Sequence, residues 1–185
     1  MATIVSWRYR PATPSAVQWI GVGFLAGALS VLVFHQGAVA LLHLLGLSER
    51  LPYSMQPTEP FGVPQLLSLV FWGGVWGVAL AAVLRRLDGG RLIAVALLLG
   101  ATLPTLVAWF VAAPLKGQPM AAGFVPLAMA FGVIVNGAWG LGTGLGLAIF
   151  GGKTRVERRR NERRHTRADR RRIDRRGSGL RPHPG

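Results

Sequence analysis

Apolar residues fill four long stretches of this chain, at about 17–45, 65–84, 92–113 and 124–150. The first contains no charged residue. The second stops at Arg85-Arg86, the third begins immediately after Arg91, and the fourth ends at Gly151-Gly152. A buried helix of a soluble bundle shows a polar face in each turn of about 3.6 residues; residues 66–84 and 92–99 show no charged face. About 20 predominantly apolar residues carry a helix across the hydrocarbon core with every backbone polar group satisfied inside the segment. The pattern therefore predicts an all-α, polytopic membrane protein. Its four transmembrane helices occupy residues 17–152, after a segment 1–16 and before a tail 153–185.

Composition explains why the chain cannot be a soluble basic domain. Of its 185 residues 51% are hydrophobic and only 15% charged, against roughly 25% charged in an ordinary soluble domain. The formal charge of +14 comes from the tail: 14 of the 21 Lys and Arg lie between Lys153 and Arg181. Residues 1–152 hold the other seven, with three acids, too few to solvate a surface of that size. The absence of cysteine excludes disulfides and thiolate metal sites.

Orientation is read from Lys and Arg in short flanking segments. Arg8 and Arg10 precede the first span, Arg85, Arg86 and Arg91 separate the second from the third, and the tail follows the fourth. The first loop has only Arg50 beside Glu49 and Glu59, and the third only Lys116. Four spans place all three basic segments on one side, so both termini are expected in the cytoplasm. A competing reading takes the first span as a signal peptide cleaved after Ala38-Val39-Ala40. The apolar run is longer than such a segment needs and resumes at 41–45.

No Asp, Glu, Lys or Arg falls inside the spans. Such residues mark proton relays and ion-coupled transport. The polar residues that do occur include His35, Gln36 and His43 in the first span and Asn136 in the fourth. His35, Gln36 and Asn136 fall at similar depth. They form a candidate intramembrane polar cluster, either interhelical packing or a ligand site. His35 and His43 are about 12 Å apart along a helix, too far to chelate one ion. No catalytic residue, metal site or cofactor is expected, and no acid–base pair is placed for chemistry.

Glycines spaced four apart, at Gly23/Gly27, Gly73/Gly77, Gly140/Gly144 and Gly142/Gly146, form smooth helix stripes for close packing within the chain or between copies. The run 140–146 lacks the preceding strand that a nucleotide-binding loop requires. Pro104 inside the third span frees the Gly100 carbonyl, and Thr102 or Thr105 are candidates to satisfy it. Trp72, Trp76 and Trp139 are expected to be packing bulk opposite the glycine stripes.

The first loop, with Pro52, Pro57 and Pro60, is expected to lie extended against the outer helix ends. In the tail, Arg158, Arg159, Arg160, Arg163, Arg164, Arg170, Arg171 and Arg172 are expected to bind anionic lipid headgroups. Nucleic acid is the competing partner for the same charge. The tail is expected to be a solvated, partly helical arm, disordered over 177–185.

The segments His35-Gln36-Gly37 with Leu41-Leu42-His43, then Met55-Gln56-Pro57-Thr58-Glu59-Pro60-Phe61-Gly62-Val63-Pro64, then Phe71-Trp72-Gly73-Gly74-Val75-Trp76-Gly77 resemble a group of small bacterial four-span inner-membrane proteins. The resemblance covers roughly residues 20–150. It implies a bacterial inner-membrane protein and brings no activity. Two functions follow as expectations. One is a non-enzymatic scaffold or accessory subunit, working with a protein partner or as a homo-oligomer. The other is a small oligomeric transporter or pore using the His35, Gln36 and Asn136 region.

Overall fold

Helices occupy all four apolar stretches in the structure, a computed structural model that describes residues 16–87 and 89–151. They are α1 (Gln18–Leu44), α2 (Gln65–Leu84), α3 (Gly89–Leu115) and α4 (Pro126–Phe150), each long and apolar enough to cross a membrane. Even the shortest, at 20 residues, rises about 30 Å, the thickness of a hydrocarbon core. Segment 1–15, with Arg8 and Arg10, and the basic tail, with Arg158 to Arg160, Arg163, Arg164 and Arg170 to Arg172, lie outside the described residues.

Two helix starts differ from the hydropathy pattern, each for a local reason. α3 begins at Gly89, so Arg91 sits in its first turn rather than before it. Arg91 is exposed there, and a long charged side chain at a helix end extends towards the interface. α4 begins at Pro126 instead of 124 because Ala121, Ala122, Gly123 and Phe124 form a left-handed turn, with φ of 49°, 54°, 67° and 57°. Pro126 then takes the first helical position, where a missing N–H leaves nothing unsatisfied.

The helices pack in the spatial order α2, α1, α4, α3. Glycine sets each contact. Gly23 and Gly27 of α1 meet Gly77 and Gly73 of α2 so closely that a Cβ on Gly27 would overlap the Gly73 carbonyl oxygen, and one on Gly77 that of Gly23. Gly100 of α3 meets Gly140 of α4, whose own Cβ would overlap the Ala96 carbonyl. Gly142 and Gly146 face Phe34, Ser30 and Ala26 of α1. The glycine stripes thus serve packing inside one chain.

Between lipid-bathed helices, close packing and interhelical hydrogen bonds replace the hydrophobic effect as the source of cohesion. Trp139 concentrates both at the α1–α4 seam. It is 3% exposed, its Nε1–H donates to the Gly27 carbonyl at 2.9 Å, and its own carbonyl accepts from Ser30 Oγ at 2.6 Å and Thr143 Oγ1 at 2.9 Å. The threonines near Pro104 act elsewhere than expected. Thr102 Oγ1 donates to Leu98 at 2.9 Å, and Thr105 Oγ1 donates across to the Gly132 carbonyl of α4 at 3.3 Å.

The first loop pairs with itself over a short hairpin. Strands β1 (Pro57–Thr58) and β2 (Val63–Pro64) run antiparallel, Thr58 opposite Val63, around a turn that contains a cis Glu59–Pro60 bond. Arg50 lies over the Phe131 ring, 5.0 Å from its centroid, which holds the loop against α4.

A candidate ligand-binding cleft

α2 and α3 are joined by the short segment 85–88 and touch little along their length. Near that connection Leu80, Ala81, Leu84, Leu92 and Ala96 share one buried cluster with Trp139. Towards the hairpin the two helices diverge and enclose a cleft of about 1080 Å³. It runs from the hairpin, Leu115 and Lys116 down to Ala79 and Pro104. From Gln65 to Ala79, α2 rises about 21 Å, two-thirds of a hydrocarbon core.

The walls are apolar. Phe71, Trp72 and Val75 line one side, Val107 and Val111 the other. Trp72 is 56% exposed and stacks edge-to-face on Phe71, ring centroids 5.5 Å apart. Trp72 therefore does not take its expected role opposite a glycine stripe, whereas Trp139 lies against Gly27 and Gly73 and Trp76, partly buried, packs against the core cluster that contains Trp139. Helix geometry shows why: Gly73 packs on Gly27 of α1, and successive side chains on a helix point about 100° apart, so the preceding Trp72 turns towards the cleft.

The floor is polar. Val31 and His35 come from α1, Asn136 and Trp139 from α4. Along their helices, Leu44 to His35 and Pro126 to Asn136 are rises of about 14 and 15 Å from the hairpin side, so both residues stand near the middle of their spans. His35 is 9% exposed, and its Nδ1 is buried without a hydrogen-bond partner. Asn136 Nδ2 donates to Thr105 Oγ1 at 2.9 Å; its Oδ1 accepts no hydrogen bond among the described residues. The Trp139 N–H is already committed to Gly27.

Gln36 stands apart from the other two and is not among the residues that line the cleft. A π-helical segment, Val31–His35, interrupts α1, and the Gln36 backbone N–H bonds to the Val31 and Val33 carbonyls. The Leu32 carbonyl thereby loses its usual donor four residues on. Tyr53 replaces it: its hydroxyl donates to Leu32 at 2.9 Å, while its backbone N–H donates to Gln36 Oε1 at 2.7 Å. Gln36 is thus a loop anchor. His43 is likewise occupied locally, with Nδ1 3.0 Å from the Ser48 carbonyl.

The bulge also inserts a residue into α1, which turns later positions by about 100° relative to a regular helix. A second π-helical segment, Ala108–Ala112, follows Pro104 and supplies Ala108, Val111 and Ala112 to the opposite wall. Bulges of this kind concentrate at functional positions; two of the three π-helical segments border this cleft, while the third, Leu147–Gly151, contributes no residue to it. Among the described residues no group of three His, Cys, Asp or Glu is placed to hold a metal ion. What the floor offers is hydrogen bonding to a polar group surrounded by hydrocarbon. The chain matches no protein-family model, no curated protein and no solved structure.

Proposed function

We propose that this protein is a non-enzymatic accessory subunit of a bacterial inner membrane that holds one lipid-like molecule in the cleft between α2 and α3. The observation that carries this reading is the divergence of two sequence-adjacent helices over an apolar-walled gap that reaches a buried polar floor. Size is consistent with a single small ligand. Sites for single small ligands hold about 300–1,000 Å³, close to the value here. The alternative of a small oligomeric transporter or pore uses the region of His35, Gln36 and Asn136, and the commitment of Gln36 to Tyr53 removes one polar group from it.

Ala108 is an exposed wall residue of this cleft, so a phenylalanine there fills space without entering the core. Native mass spectrometry of the purified protein after a delipidating detergent wash is expected to find one retained lipid per wild-type chain and none on Ala108→Phe. Equal retention by the two proteins would refute the cleft as the site.

Both termini are assigned to the cytoplasm on the basic segments that flank the spans, and the tail arginines Arg158 to Arg160, Arg163, Arg164 and Arg170 to Arg172 to the anionic headgroups of that leaflet. Each Lys or Arg near such a surface contributes about 1 kcal/mol. The chain has no cysteine, so single replacements report sidedness directly. A membrane-impermeant maleimide added to intact spheroplasts is expected to label Glu49→Cys and Gln118→Cys, and Ser178→Cys only after permeabilisation. The reverse pattern would invert the assignment.

A further inference from the structure

The floor of the cleft identifies the chemistry of its occupant: we infer that it binds a neutral lipid whose head carries a hydroxyl or carbonyl group, seated between His35 and Asn136 near the middle of their spans. This rests on the cleft being a lipid site and specifies which lipid.

The hydrogen-bonding inventory carries the inference. A neutral imidazole presents one donor and one acceptor nitrogen. His35 lines the cleft, and neither ring nitrogen has a hydrogen-bond partner among the described residues; Nδ1 is closed to solvent, so Nε2 is the nitrogen that an occupant reaches. Asn136 has spent an N–H on Thr105 and keeps its Oδ1 available. A carbonyl head accepts from the imidazole N–H. A hydroxyl head does the same and also donates to Asn136 Oδ1. An alkyl chain alone satisfies none of these groups.

Charge argues in the same direction. A formal charge carried to the depth of His35 meets no opposite charge, because the charged residues that line the cleft, Lys116 at the end of α3 and Glu59 in the hairpin, belong to its rim. An anionic phospholipid would therefore keep its phosphate at the rim and leave His35 facing a hydrocarbon tail. A neutral head pays no such penalty at depth.

Trp72, Trp76, Val107 and Val111 then flank the tail. The experiment uses the full chain in detergent micelles, titrated with dioleoylglycerol (hydroxyl head), a decyl-substituted benzoquinone (carbonyl head) and dioleoylphosphatidylglycerol (anionic head), with bound species counted by native mass spectrometry. At least one of the first two is expected to bind wild type about tenfold tighter than His35→Leu, equivalent to about 1.4 kcal/mol. The anionic lipid is expected to bind both proteins equally. Circular dichroism and thermal melting establish that His35→Leu is folded, and Asn136→Ser provides a second, smaller perturbation of the floor.

Three results overturn the inference. One is equal binding of the neutral lipids to wild type and His35→Leu, which leaves a greasy cleft without head recognition. Another is preference for the anionic lipid that depends on Lys116, which moves recognition to the rim. The third is no binding of any probe to wild type. Insensitivity of all binding to Ala108→Phe would instead refute the cleft itself, so the two failures are separable.

Discussion

Gly27→Ala and Gly77→Ala are each expected to destabilise the protein by about 3 kcal/mol, the upper end of the range for overpacking. The new methyl group at either position meets a backbone carbonyl of the facing helix. Backbone on both sides leaves no flexible side chain to yield, so α1 and α2 must separate along the seam. At Gly27 the displacement also moves the carbonyl that accepts the Trp139 N–H, which passes the strain to α4. Gly74 provides a graded comparison. Its Cβ would meet the ring of Phe24, a side chain that can turn aside, and about 1 kcal/mol is expected. Gly21 and Gly37 are helical glycines with nothing within 4 Å of a Cβ, and alanine there should stabilise by roughly 0.5–1 kcal/mol through helix propensity. Reversible unfolding of the five variants in mixed micelles of increasing dodecyl sulfate measures the series. A loss at Gly21 as large as that at Gly27 would mean that glycine matters here through flexibility rather than contact.

That series marks the boundary of what was legible in the sequence. Four spans follow from length and apolarity alone, because a bilayer leaves a helix few alternatives. Glycines spaced by four announce close packing, yet each stripe fits any other helix. Only the folded arrangement pairs Gly27 with Gly73 and Gly100 with Gly140. The common depth of His35 and Asn136 is simple arithmetic on helical rise, and both residues do reach one cleft. Which of the neighbours His35 and Gln36 faces the cleft is not readable in advance. It depends on the π-helical segment Val31–His35 and on Tyr53, seventeen residues beyond Gln36, which holds both the Leu32 carbonyl and the Gln36 side chain. Nothing in the residue types Val-Leu-Val-Phe-His announces a bulge. The cleft walls were hidden for a related reason: Trp72 and Trp139 are the same residue type in similarly apolar surroundings, and only packing makes one 56% exposed and the other 3%.

The adjacent residues His35 and Gln36 should respond to the same substitution with opposite signs. His35→Leu is expected to raise the stability of the lipid-free protein by about 1–3 kcal/mol, the desolvation penalty of a buried polar group left unpaired. Leucine has similar bulk, makes no demand for a partner, and removes the orphaned Nδ1. Gln36→Leu deletes the acceptor of the Tyr53 N–H and should lower stability by about 1 kcal/mol, the net value of a typical hydrogen bond. Both are measured by the same unfolding titration, with protein delipidated beforehand so that bound lipid adds nothing to the native state. If His35→Leu destabilised as Gln36→Leu does, the imidazole would be holding the bundle together. It would then be a packing residue rather than one kept for a ligand. The expected opposite signs make the distinction physical. A group that weakens the fold where it stands is retained for what it binds, and a group that strengthens the fold is explained by the fold.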